Sequence, residues 1–215
     1  MDDGLKNTYL RDKCGSIRAR LILAHGAGAP MDSAFMQSIA NGCSALGVEV
    51  VRFEFPYMAQ RRSGGGKRPP NQQSVLLDTW QKVVTEFDQS DIPLFVGGKS
   101  MGGRIASLLS TETLKRCRGL ICLGYPFHPQ GKSEKLRISH LPSLPLPMLI
   151  VQGERDRLGS RLEVSEYELG ERVQIHWLRA CDHDLTPLKR SGTTQEMTWC
   201  ETVRVMNAFI TMQLV

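Results

Sequence analysis

The chain has 215 residues, 41% of them apolar and 23% charged, with a formal net charge of +5. That length suits one globular domain with a sizeable core, and the charge is too weakly basic for a dedicated nucleic-acid binder. No run approaches the ~18 apolar residues of a membrane span, and Met1-Asp-Asp-Gly lacks the apolar core of a signal peptide. Six scattered cysteines without a CxxC pair read as free thiols, so a soluble cytoplasmic protein is expected.

Residues 1–16 are polar and read as an edge strand or a tail. Ile17 to Ala24 climbs into an apolar run and ends in His25-Gly-Ala-Gly-Ala-Pro30, a central strand followed by a glycine-rich turn. Ser33 is placed to cap a helix over 34–45, where Phe35, Ile39 and Leu46 recur at helical spacing. Val48 to Phe55 is a second strand, closed by Pro56. Residues 57–71 are basic, then glycine-rich, then proline-rich, and read as a long loop, mobile at Gly64–Gly66.

Leu76, Trp80, Val83, Val84 and Phe87 put a helix over 75–87, and Ile92 to Val96 is a buried strand. Gly98-Lys-Ser-Met-Gly102 follows, and residues 103–109 form a helix. Leu120–Leu123 is a short strand, 124–145 a proline-rich loop, 148–151 a strand and 161–169 a short helix. Val173 to Leu178 is the last strand, 180–187 a loop and 195–213 a closing helix. Strands alternating with helices predict a three-layer α/β/α sandwich with a mostly parallel, doubly wound sheet, in one domain over 1–215. In such sheets ligands sit outside the carboxyl ends of the strands. The loops at 25–30, 98–103, 152–159 and 181–187 all lie there.

The chemistry is read from those loops. Gly98-Lys-Ser-Met-Gly102 fits G-x-S-x-G between a strand and a helix, the pattern of a nucleophile elbow with Ser100 exposed at a sharp turn. A P-loop reading of Gly98-Lys99-Ser100 fails because its first glycine would fall on Pro93. A serine nucleophile needs a base, and the base a carboxylate. Ser100, Asp156 and His183 stand in the order Ser, Asp, His that this topology uses. An oxyanion site needs N–H donors. Met101, after the nucleophile, supplies one, and the loop after the early strand another, with Ala27 ahead of Gly28.

Against these stand plainer readings: a surface-turn aspartate at 156, a solvated loop histidine at 183 and ordinary glycine turns at 26–28 and 98–102. His25 is too close to the first strand to be the base and is read as orienting the oxyanion loop through its ring nitrogens. No set of histidines and cysteines has zinc-ligand spacing, and neither metal nor cofactor is expected.

With these residues placed, the chain resembles the α/β-hydrolases, and among them the small, cap-less branch related to dienelactone hydrolases. The resemblance covers nearly the whole chain. It is carried by His25-Gly-Ala-Gly-Ala, Phe55-Pro-Tyr-Met58 with Arg61-Arg62 and Arg68-Pro-Pro70, Gly98-Lys-Ser-Met-Gly-Gly103, Gly124-Tyr-Pro-Phe-His128, Gln152-Gly-Glu-Arg-Asp156 and Asp182-His-Asp-Leu185. It implies an α/β-hydrolase fold without a helical cap, Ser100 as nucleophile, Asp156 as acid, His183 as base, and Ala27 and Met101 as oxyanion donors. Relatives of the dienelactone hydrolases often carry a cysteine nucleophile; the serine here points to ester hydrolysis of a more general kind.

The expected activity is cleavage of small soluble carboxylic esters or thioesters. The connection from Gly124 to Pro145 is too short for a helical lid, so an open, shallow pocket is expected. Arg61, Arg62, Lys67 and Arg68 could hold an anionic substrate group, or could simply be solvated. The alternative is a non-catalytic binding or scaffold protein on the same fold. Nucleic-acid binding through 57–71 is disfavoured by the lack of aromatic interleaving beyond Tyr57.

Overall fold

A strand buried on both faces carries a continuous apolar run, and the central runs of this chain behave accordingly. In a computed structural model that describes residues 9–13, 15–88 and 91–215, every residue of β2 (Ala19–Ala24), β3 (Val48–Phe53), β4 (Leu94–Lys99) and β6 (Met148–Gly153) is buried. With β1 (Leu10–Asp12), β5 (Cys117–Leu123) and β7 (Val173–Leu178) they form one sheet in the order β1-β3-β2-β4-β5-β6-β7. Only β1 among these is antiparallel to its neighbour. It supplies the edge strand read from residues 1–16; residues 1–8 and Cys14 lie outside the described set.

Seven α-helices are assigned among the described residues: α1 (Ala34–Ala45), α2 (Pro56–Arg62), α3 (Gln73–Phe87), α4 (Met101–Ala106), α5 (Thr111–Leu114), α6 (Arg161–Val164) and α7 (Gln195–Met212). On one face, α1 and α7 close a core of Leu21, Leu23, Phe95, Ile121 and Val151 with Ile39, Met206 and Phe209. On the other, α3 and α4 cover Ile22, Phe53, Val96 and Leu120 with Trp80, Val83 and Ile105. The chain is thus a three-layer α/β/α sandwich, and no helical cap interrupts 124–147, which holds only a 3-10 turn at Leu141–Ser143.

Several local expectations are corrected. The 57–71 stretch begins as a helix: Pro56 does not only end a strand but opens α2, where its fixed φ and missing N–H fit the first helical position. Residues 65–72 carry neither helix nor strand. Strand β4 runs on through Gly97, Gly98 and Lys99, because a Cβ at Gly97 would stand 2.2 Å from the Ile121 carbonyl oxygen, so only glycine lets β4 and β5 continue side by side.

The helix read over 161–169 stops after one turn. Tyr167 and Leu169 both pack on the core, a spacing of two that helix geometry cannot meet. Helix α4 ends at Ala106, short of Leu109, and α5, held by the Ser110 cap, precedes a β5 that starts at Cys117 rather than Leu120. Ser33 stands at the start of α1 but makes no side-chain cap bond. The five described cysteines are unpaired.

Candidate active site

The chain leaves β2 toward β3 on one side and returns to β4 on the other, so the strand order reverses between β2 and β4, where Ala24 pairs with Gly98. At such a point the loops diverge and open a crevice. Here the crevice receives Ser100. Its backbone sits at φ 51°, ψ −115°, a conformation that costs an L-residue roughly 1–3 kcal/mol. The turn is tight because its glycines are close-packed. A Cβ at Gly98 would meet the Ala24 carbonyl oxygen at 2.6 Å, one at Gly102 the His25 carbonyl oxygen at 2.5 Å, and one at Gly103 the Cys122 Sγ at 2.4 Å.

Sequence-distant side chains converge on Ser100. Its Oγ lies 2.8 Å from His183 Nε2, and His183 Nδ1 lies 2.7 Å from Asp156 Oδ2. A carboxylate only accepts, so Nδ1 carries the proton and Nε2 is free to accept from the serine hydroxyl. Asp156 is fully buried. A charge there requires partners, and besides His183 it has two: Gln152 Nε2 donates to Oδ2 at 2.8 Å, and the Leu158 N–H donates to Oδ1 at 2.7 Å.

His183 rides on a tight turn in which the Asp182 carboxylate accepts from the N–H groups of Asp184 and Thr186, while Leu185 is held at φ 56°. That turn approaches the sheet closely. A Cβ on Gly124 would stand 2.9 Å from the His183 carbonyl oxygen.

The early loop lies opposite. His25 is buried, donates from Nδ1 to the Gly26 carbonyl at 2.6 Å, and accepts at Nε2 from the Phe55 N–H at 3.1 Å. Those two bonds require a neutral ring, and burial lowers its pKa, which keeps it neutral. Its expected orienting contacts are therefore present. Met101 opens α4, so its N–H has no acceptor within the helix. Ala27, Gly28, Ser100 and His183 all line a cleft of about 660 Å³, whose wall continues through Ala29, Ala34, Phe35, Met36, Leu158 and Trp199. Phe35 and Trp199 meet edge to face at 5.8 Å across its rim.

The basic segment is placed elsewhere. None of Arg61, Arg62, Lys67 and Arg68 lines the cleft. Arg62 forks onto Asp32 and Glu54, and Arg68 bonds to Gln60. An anion-holding role at the cleft therefore finds no geometric support, because the charge of Arg62 is spent on two carboxylates of its own chain.

Three side chains escaped the sequence reading. Gln152 is a polar residue ending an apolar strand, and that break in pattern was its signal. Lys99 fills a variable position of the elbow and is buried; its Nζ donates to the His183 carbonyl at 2.7 Å. Tyr57 is buried beside the early loop. Among the described residues no group of three or more His, Cys, Asp or Glu side chains could hold a metal ion, and no helix is long and apolar enough to cross a membrane.

Comparison with known proteins gives the same architecture. The structure of Est1E from Butyrivibrio proteoclasticus with ferulic acid bound superposes with a TM-score of 0.73 at 15% identity, over 99% of this chain and 97% of that one. A dienelactone hydrolase from Anabaena variabilis gives 0.73 at 13%, over 99% and 94%. XC6422 from Xanthomonas campestris, described as an α/β serine hydrolase without a lid, gives 0.63 at 14%, over 98% and 94%. A family model described as an alpha/beta hydrolase domain matches residues 17–211, and with that match the chain belongs to the α/β-hydrolase family.

Proposed function

We propose that the protein is a serine hydrolase that cleaves small carboxylic esters or thioesters through an acyl-enzyme. The observation that carries this reading is the unbroken hydrogen-bonded line from Ser100 Oγ through His183 to a buried Asp156, ending in a cleft. Ser100 Oγ attacks the acyl carbon while its proton passes to His183 Nε2. The carbonyl π electrons move to oxygen, and the N–H groups of Met101 and Ala27 receive that charge; one such donor is worth roughly 3–4 kcal/mol in the transition state. Asp156 stabilises the imidazolium. The C–O or C–S bond then breaks, and His183 returns the proton to the leaving alkoxide or thiolate. Water, deprotonated by His183, attacks the acyl-enzyme and releases the acid and free Ser100.

The cleft wall favours an uncharged, apolar acyl or leaving group, since Ala29, Ala34, Phe35, Met36 and Trp199 make up much of it, the basic residues of 61–68 are absent from it, and the two charged side chains it does hold, Lys99 and Asp184, pair with each other at 3.5 Å. The test is labelling with a fluorophosphonate beside Ser100→Ala and His183→Ala, followed by a panel of neutral and anionic p-nitrophenyl esters. Labelling and turnover that vanish in both variants, with neutral esters preferred, are expected. A folded wild-type protein that neither labels nor turns over any ester would refute the reading and favour a non-catalytic binding role.

A further inference from the structure

The segment Phe55-Pro-Tyr-Met58 with Arg61-Arg62 has no part in the mechanism above, yet its side chains reach both ends of the oxyanion loop. Tyr57, in the first turn of α2, is buried with its ring 5.7 Å from that of His25. Its hydroxyl donates to the Ala27 carbonyl at 3.0 Å and leans toward the Gly26 carbonyl at 3.3 Å. Its own N–H is held by Asn71 Oδ1 at 2.8 Å, which ties down the far end of the 64–71 stretch. At the other end of α2, Arg62 bonds both oxygens of Asp32 at 2.8 Å and both oxygens of Glu54, at 2.7 and 3.0 Å; Glu54 in turn accepts from the Met31 N–H at 3.3 Å.

The loop between these ties has little packing of its own. Ala27, Gly28 and Ala29 are exposed, and a Cβ on Gly28 would meet nothing within 4 Å. Its conformation therefore depends on polar ties. Peptide planarity makes those ties directional: across a trans peptide, C=O and N–H point opposite ways. Fixing the Gly26 carbonyl onto His25 and Tyr57 turns the Ala27 N–H away from them. Fixing the Ala27 carbonyl onto Tyr57 does the same for the Gly28 N–H.

We infer that α2 is a clamp on the oxyanion loop, with Tyr57 as a positioning residue that sets the two peptide planes carrying the Ala27 and Gly28 N–H groups, and Arg62 as the tie at the loop's far end. The inference rests on the serine-hydrolase reading for its effect on rate, though not for its effect on the loop.

Tyr57→Phe tests it, because the variant keeps the ring and removes only the hydroxyl. The expected result is a kcat lower by about 10- to 100-fold, a part of the ~10²–10³-fold that a whole oxyanion donor carries, with KM within about 2-fold. Affinity for a trifluoromethyl ketone, whose adduct with Ser100 bears the oxyanion, should fall by the same factor as kcat/KM. The 15N order parameters of the Ala27 and Gly28 amides should fall relative to wild type. Unchanged kcat and inhibitor affinity, or a loss confined to KM, would overturn the role in catalysis. Unchanged order parameters at both amides would overturn the clamp itself. That readout needs no activity, so it separates failure of the clamp from failure of the hydrolase reading, which wild-type labelling reports. Arg62→Gln, at an exposed position, reads the other end: faster exchange from Met31 to Asp32 supports the clamp even if Tyr57→Phe does not fold, and unchanged exchange there counts against it.

Discussion

Replacing Lys99 by Met should separate stability from activity. The Lys99 stem packs against the 25–30 loop, where a Cβ on Gly26 would stand 3.4 Å from its Cγ, and Met preserves that packing. The head makes one strong bond, 2.7 Å to the His183 carbonyl; the Asp184 carboxylate, 3.5 Å away, is largely exposed and adds little. A charged-donor hydrogen bond is worth about 1.5–3 kcal/mol, while burying an ammonium costs several. The two nearly cancel, so the net change should be within about 1 kcal/mol, or roughly 2–4 °C in Tm for a chain of this size.

Activity should not be spared. The bond holds the turn that carries His183, and a displacement of about 1 Å at a reacting group costs on the order of 10²-fold in rate. Steady-state kinetics on a p-nitrophenyl ester should show kcat down by about 10- to 100-fold with little change in KM. The pH dependence adds a check. Burial holds the Lys99 pKa below its ordinary 10.5. Between the lowered folded value and 10.5 the unfolded chain binds more protons, so this residue makes stability rise with pH there. That rise should be absent from the Met variant, as read from the difference between the two proteins' urea midpoints across the alkaline range. Wild-type kcat in a folded Lys99→Met protein would refute the positioning argument.

At Ser100, held at φ 51°, Ser100→Gly should be more stable than Ser100→Ala by about 1–2 kcal/mol, because only glycine is unstrained there, and chemical denaturation of the two variants measures it. His140, bonded to Ser107, is pushed down to about 4 by burial and by the charge of Arg104. Since the unfolded chain then binds the extra proton between about pH 4 and 6.5, the residue makes stability rise with pH across that window, and His140→Gln should flatten the dependence of the urea midpoint there. Gly97→Ala, which drives a Cβ to 2.2 Å from the Ile121 carbonyl oxygen in the middle of the sheet, should cost about 3 kcal/mol or more, read as a fall in the urea midpoint.

What was legible in the sequence was local, or fixed by chain order. A run of four apolar residues bounded by turn residues, as at 21–24 and 148–151, reads as a buried strand, and G-x-S-x-G between a strand and a helix prescribes its own turn. Asp156 and His183 were reachable because the topology dictates which strands precede them. What escaped was held by contacts between distant residues. A seven-residue helix is marginal on its own propensity, and α2 buries adjacent Tyr57 and Met58 rather than a helical stripe, so no period betrayed it. It stands through Asn71, fourteen positions from Tyr57, and through Asp32, thirty from Arg62. In the sequence the same segment is a patch of positive charge, because composition counts an arginine without its partner. Once Asp32 and Glu54 are set beside Arg62, its charge is spent within the fold, and the residue changes from a candidate for holding substrate to a tie on the loop that faces Ser100.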